Sequence, residues 1–324
     1  MPDLYIQSFS GVSGDMILAA FLDAGLPLDA LVNTLNNVLD HDEFSISFEN
    51  FLSKGISGKR LKISENHSKD RDFRYIKNSI SNSQLNDKIK ILSLSTFNLL
   101  AEAEGIVHNI DKDDVHFHEI GGVDTIIDIV GAAFAVDYFC INNIYVSDIV
   151  VGTGEIMSCH GVMPNPAPAT TILLKDYNLK FLNENFEFTT PTGAAILKGF
   201  AAKSTLENSF KIDKIGYGFG SKTLHSRANF LRLFISGEKP SNISENIINS
   251  EILEIEFNID DMTGEEIGFF IEESKKFDVV DIQCIPSITK KNRPGYIFKI
   301  LVESLEADIL KFIFNFTTTL LVSE

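Results

Sequence analysis

The densest chemistry in the chain lies in VHFHEIGGVDTIIDIVG, residues 115–131, where two histidines and three carboxylates interrupt an apolar run. If residues 115–120 are extended, His116 and His118 leave the same strand face roughly 7 Å apart at Cβ, and one metal ion can take both. Glu119 stands beside them as a further candidate ligand. The next residues, VDTIIDIVGAAFAVDYF, predict a helix opening at Asp124, with Asp128 one turn on and on the same side. Asp128 is flanked by Ile126, Ile127, Ile129 and Val130, and a carboxylate in such surroundings needs a cation, a donor or a proton. The alternative is that Asp124 only caps the helix and the histidines are ordinary strand residues.

Other short stretches carry weaker versions of the same question. FSGVSGDM lacks the last glycine of a nucleophile elbow and the lysine of a phosphate loop, which leaves Gly11 and Gly14 as close-approach points and Asp15 at a helix start. Cys159-His160-Gly161 precedes Pro164, Pro166 and Pro168, which favour an extended loop, and His160 is its better soft-metal candidate. TTPTGAA sets Thr189, Thr190 and Thr192 before a helix initiated at Pro191, a donor-rich turn for an anion or simply a cap. GYGFGSKTLHSRANFLR leads into a strand, so its glycines do not make a dinucleotide fingerprint. It brings His225 and Arg227, the latter able to clamp a phosphate or carboxylate. Near the C-terminus, Asp260 and Asp261 in NIDDMTGE suit a hard divalent ion, and Lys290, Lys291 and Arg293 in KKNRPG form the densest basic cluster, so the two loops could hold a metal-bound triphosphate. A solvated turn is the alternative.

These residues must be positioned by alternating strands and helices. Residues 4–9 read as a strand, a glycine turn follows, and DMILAAFLDAG is a helix ending at Gly25. LDALVNTLNNVL is a second helix, FSISFENF and GKRLKIS a hairpin, and residues 66–71 an exposed connection. KIKILSLSTFNLLAEAEG is helical, YVSDIVVG strand-like, and IGYGFG and NFLRLFISG strands. The class is α/β or α+β, with a mixed-sheet N-terminal domain over residues 1–240. GEKPSNISENIINS reads as a linker. Residues 251–324 then run strand, helix, strand, strand, helix, a ferredoxin-like βαββα unit lacking its last strand.

The 324 residues carry a formal charge of −17 and are 44% hydrophobic, and the pI is near 4.8. This balance argues against nucleic acid or an anionic membrane surface as a partner, since phosphates need a basic face. Three scattered cysteines make no disulfide framework and no zinc spacing, and no signal segment or apolar span is evident. The expectation is a cytoplasmic protein, with homo-oligomerisation left open.

Taken together, FSGVSGDM, VHFHEIGGVDTIIDIVG, HGVMPNPAPAT, TTPTGAAIL, HSRANFLR, NIDDMTGE and KKNRPG occur in the order seen in LarC-type nickel insertion proteins, and the chain resembles that family over essentially its whole length. The resemblance implies a cyclometallase, a lyase that inserts nickel into pyridinium-3,5-bisthiocarboxylic acid mononucleotide to complete the nickel-pincer cofactor of lactate racemase-type enzymes. It implies CTP as co-substrate with Mn2+ or Mg2+, and a cytidylylated intermediate. By motif position, His116, His118, Glu119, Asp124, Asp128 and His160 become the nickel candidates. Asp15, His225 and Arg227 become the catalytic candidates, and Asp260, Asp261, Lys290, Lys291 and Arg293 the CTP candidates. Two departures stand out. The family's TTTLGVR appears as TTTLLVSE, which implies an incomplete second domain, and Asn165 falls where an apolar residue is expected. The rival readings are a nickel-binding carrier that needs a separate CTP-binding chain, and a metal-dependent nucleotide hydrolase.

Overall fold

The computed structural model describes residues 2–66, 71–115, 122–158, 161–204, 210–237, 253–277, 279–289, 292–302 and 307–317. The chain divides into two compact units, Met1–Lys239 and Pro240–Glu324. Each has a hydrophobic core of its own.

The first unit begins with β1 (Leu4–Gln7), α1 (Gly14–Asp23), α2 (Leu28–Leu35), β2 (Phe44–Ser53), β3 (Ile56–Glu65), α3 (Phe73–Asn82), α4 (Asp87–His108) and α5 (Val123–Tyr138). It continues with β4 (Ile144–Val146), β5 (Ile149–Val151), β6 (Glu155–Ser158), β7 (Gly161–Pro164), α6 (Pro168–Leu173), β8 (Leu179–Phe181), α7 (Pro191–Gly199), β9 (Ile212–Phe219) and β10 (Phe230–Ser236). Six strands form a mixed sheet in the order β2-β3-β9-β10-β1-β4. β3 with β9 and β1 with β4 are parallel pairs, and the other neighbours are antiparallel. The protein is therefore mixed α/β, and both small accessory sheets, β5-β8 and β6-β7, lie in this unit.

Two helices set the site. α1 is buried from Met16 to Leu22, which explains why its sequence is apolar on every side. It lies directly on β9 because Gly216 and Gly218 have no side chains: a Cβ on either would stand 1.9 Å from the carbonyl oxygen of Ala20 or Met16, respectively. The glycines of IGYGFG thus serve helix-on-sheet packing. α5 is likewise buried on most of its surface, Asp128 included.

Several local expectations change. α5 opens one residue early, at Val123 with Gly122 as N-cap, so Asp124 does not cap it. Arg71 is no part of an exposed connection: its side chain is buried and pairs with Glu43 Oε2 at 3.1 Å. YVSDIVVG breaks at Ser147-Asp148 into β4 and β5, which join different sheets. The proline-spaced segment is not one extended loop, since residues 161–164 pair with β6 and Pro168 starts α6 at a first-turn position that needs no N–H. Asn165 is buried because its side-chain amide donates to the Phe186 carbonyl at 2.8 Å, work that an apolar residue could not do.

The second unit comprises β11 (Leu253–Ile259), α8 (Gly264–Ser274), β12 (Val279–Thr289), β13 (Arg293–Val302) and α9 (Ala307–Phe316). Its antiparallel sheet runs β11-β13-β12, the order of a split βαβ unit with the third strand in the middle. Ile255, Phe257 and Ile259 point into the core. On the alternate residues, Glu254 and Glu256 meet Lys299 at 2.6 and 3.0 Å, the period-two pattern of a sheet covered on one face. Phe270 of α8 and Phe312 of α9 stack at 5.1 Å, and Phe270 also meets Phe298 of β13. Among the described residues no helix is long and apolar enough to cross a membrane.

Candidate active-site cleft

A cleft of about 1120 Å³ opens in the first unit, large enough for a mononucleotide-sized ligand. Its walls come from the N-terminal turns of α1, α5, α6 and α7, the end of α4, β3, the β6–β7 hairpin and the loop after β9. Three aspartates meet here: Asp15 from the first turn of α1, Asp124 from the first turn of α5, and Asp128 from its second.

Asp15 is well supplied with donors. The Ser13 hydroxyl and the Met16 amide, the latter at 2.8 Å, both donate to its Oδ1, and the Ser221 amide adds a third contact. Burial raises its pKa, those hydrogen bonds pull it back in part, and Asp124 pushes it up again. Asp124 accepts from the Thr125 amide at 2.8 Å. Asp128 is different. It is 8% exposed, and its Oδ1 has no hydrogen-bond partner among the described residues. Burial holds its pKa well above the usual carboxylate range, and the charges of Asp15 and Asp124 reinforce the shift. Its carboxylate presses on Gly14, where a Cβ would stand 2.4 Å from Oδ2. An unpaired buried carboxylate is costly, so this one carries a proton or receives a cation.

The sequence-derived candidates separate accordingly. Asp15, Asp124 and Asp128 converge on the cleft. His225 is exposed and does not line it. Arg227 does not line it either: its guanidinium donates to the Phe9 carbonyl at 3.0 Å and lies 5.3 and 5.8 Å from the ring centres of Phe9 and Phe188. Asp260, Asp261 and Arg293 are exposed in the second unit. The register pairs Ile259 with Tyr296 and Thr289 with Arg293, so the Asp260-Asp261 loop and the start of β13 share one end of the sheet. His116, His118, Glu119, His160, Lys290 and Lys291 lie outside the described residues. Among the described residues no three of His, Cys, Asp and Glu are placed to enclose a metal ion.

The cleft also holds residues that the motifs did not mark. Glu104 and His108 sit one turn apart on α4, 3.5 Å from each other, and their four-residue spacing was a usable signal. Glu187 and Lys222 line the cleft as well, Lys222 from the stretch whose sequence pointed instead to His225 and Arg227. Thr189, in contrast, is spent internally, accepting from the Val12 amide and donating to the Val150 carbonyl. Thr190 caps α7 through the Gly193 amide.

Fold and cleft define a two-unit, mixed α/β protein whose first unit presents a cleft lined by Asp15, Asp124, Asp128, Glu104 and Glu187. The family model described as nickel insertion protein matches residues 4–322, and the chain belongs to that family. It is 38% identical to the pyridinium-3,5-bisthiocarboxylic acid mononucleotide nickel insertion protein of Clostridium kluyveri, over 99% of this chain and 82% of that one. To the protein of the same name from Clostridium acetobutylicum it is also 38% identical, over 98% and 82%. Among solved structures, LarC2, the C-terminal domain of a cyclometallase involved in the synthesis of the NPN cofactor of lactate racemase, matches 22% of this chain and 51% of its own. The identity there is 34% and the TM-score 0.21, a local likeness only.

Proposed function

We propose that the chain inserts nickel into pyridinium-3,5-bisthiocarboxylic acid mononucleotide in the cytoplasm, as a CTP-dependent cyclometallase of the lyase class. Residues 1–240 would take nickel and the precursor, and residues 251–324 would take CTP. The observation that carries the reading is Asp128, a buried carboxylate with an unpartnered oxygen at the floor of a nucleotide-sized cleft, flanked by Asp15 and Asp124. A divalent cation arriving there replaces a proton and relieves the repulsion among three acids. The segment that carries His116, His118 and Glu119 runs directly into Gly122 and α5, so its imidazoles are candidate nickel donors next in the chain to this floor. His160 is proposed from the β6–β7 hairpin.

Making a carbon–nickel bond releases a ring proton, and Asp15, held in place by Ser13 and by the amides of Met16 and Ser221, is the proposed acceptor. Arg227 acts by position, tying the Phe9 carbonyl just before the glycine turn that leads to Asp15. His225 is kept as a catalytic candidate from the resemblance. In the second unit, Thr263 and Glu266 form a capping box on α8, and Asp260 and Asp261 stand exposed ahead of the helix. That donor set fits Mg2+ or Mn2+, which supplies charge neutralisation to a triphosphate. Lys290, Lys291 and Arg293 are the proposed triphosphate partners, and the cytidylylated precursor is the proposed intermediate.

The test is to incubate the purified chain with nickel, CTP and manganese, with and without precursor, following pyrophosphate and the nickel-bearing product by mass spectrometry. Pyrophosphate and product that both require precursor support the proposal. Nucleotide breakdown without precursor indicates a hydrolase, and nickel binding with no nucleotide turnover indicates a carrier; either outcome sinks it.

A further inference from the structure

We propose that Lys222 is the phosphate anchor of the cleft, the residue by which it selects a mononucleotide over the corresponding nucleoside. The inference rests on the cleft being the precursor site. A phosphate monoester brings up to two negative charges into a wall that already contains Asp15, Asp124, Asp128, Glu104 and Glu187, on a chain of net charge −17. It can settle only beside a local cation.

Among the described residues the wall holds two lysines, Lys62 and Lys222. Lys62 is engaged, its Nζ 2.6 Å from Glu49 Oε2. Lys222 has no carboxylate at ion-pair distance among the described residues, and its amine lies 5.9 Å from the centre of the Phe186 ring. His108, the remaining basic side chain of the wall, faces Glu104 at 3.5 Å. Among the described residues of the wall, Lys222 is thus the cation left to meet an incoming anion.

Its backbone is also held. Asn229 Nδ2 donates to the Lys222 carbonyl at 2.9 Å, and Ser226 of the same loop donates to Glu184 Oε2 at 2.9 Å. The adjacent Ser221 amide is one of the contacts to Asp15. One loop therefore carries the anion-seeking amine of Lys222 and, on the preceding residue, the Ser221 amide that meets Asp15. A ligand with a phosphate at one end and a metal-accepting ring at the other matches that polarity. A lysine amine meets a phosphate as a point charge, without the fixed fork of an arginine.

The experiment uses titration calorimetry on the full chain with two stable probes, a pyridinium-3,5-dicarboxylate mononucleotide and its dephosphorylated nucleoside, at fixed ionic strength. The wild type is expected to favour the mononucleotide by about 10-fold or more, the range for a charge-assisted contact. Lys222→Ala should erase that preference while leaving nucleoside affinity and nickel affinity unchanged, and Lys222→Arg should keep most of it. Equal weakening of both probes, or an undiminished preference in Lys222→Ala, overturns the assignment. Binding of neither probe by the wild type overturns the precursor-site reading and this inference with it, and is distinguished by the wild type alone.

Discussion

Gly14→Ala probes the closest approach in the cleft. A Cβ at residue 14 would stand 2.4 Å from Asp128 Oδ2 and 2.6 Å from both its Cβ and its Cγ. These atoms belong to a buried side chain on a buried helix, and Leu18 packs on the same helix face at Gly131. Nothing there is the free end of a long side chain, so either α1 and α5 separate or Asp128 leaves its rotamer. Overpacking of this kind costs about 1–3 kcal/mol. Gly14 is the first residue of α1, so alanine regains less there than the about 0.5–1 kcal/mol it returns over glycine in a helix middle. With three contacts far inside van der Waals distance, a net loss of about 2 kcal/mol is expected. For a unit of this size that is roughly 4–8 °C in Tm.

The assay is thermal unfolding of Gly14→Ala, Asp128→Gly and the double variant. Removing the Asp128 side chain makes room for the new methyl group, so the double variant should recover about 1–2 kcal/mol relative to the sum of the singles. A Gly14→Ala protein that melts with the wild type, or a double variant that is simply additive, would refute the claim that this glycine exists to admit Asp128. Nickel affinity read on the same proteins should fall wherever the carboxylate is displaced.

Three further outcomes are expected. The folded-state pKa of Asp128 lies above its ordinary value of 3.8, so the native state keeps a proton that the unfolded chain gives up, and its contribution to stability falls as pH rises from that value through the folded pKa. Asp128→Asn should therefore gain more stability over wild type at pH 8 than at pH 4, seen as a flatter dependence of the urea midpoint on pH; a parallel offset at both pH values contradicts it. His116→Ala and His118→Ala should each weaken nickel binding in calorimetry with the circular dichroism spectrum unchanged, and unaltered affinity in both would return them to ordinary strand residues. Lys290→Ala and Arg293→Ala should abolish CTP binding and spare nickel affinity, since the candidates for the two ligands lie in different units; joint loss would point to misfolding.

The element order was legible because periodicity reports which face is buried. The hairpin of β2 and β3, the helix from Pro191, and the βαββα order of the second unit were all readable from alternation, capping residues and prolines. What failed was context. Arg71 looked solvated in a polar run because its partner, Glu43, is distant in sequence. The glycines of β9 had no assignable role until α1 was seen lying on them.

The site shows the same division, with a sharper reason. Asp128 announced itself because a carboxylate among isoleucines is anomalous wherever the helix packs, and Asp15 because it opens a helix after a glycine turn. That the two belong to one cleft is a fact of α1 lying beside α5, and Gly131 against Leu18 is part of what allows that packing. Neither helix encodes it alone. Lys222 was illegible for the opposite reason. Its position depends on a loop held by Asn229 and Ser226, and an isolated lysine in a loop is the least informative residue a sequence can offer. Asp128 could be found by what it costs to bury; the cation that would balance an anionic ligand is exposed, costs nothing, and could be found only by seeing that the other lysine among the described residues of the wall is already paired.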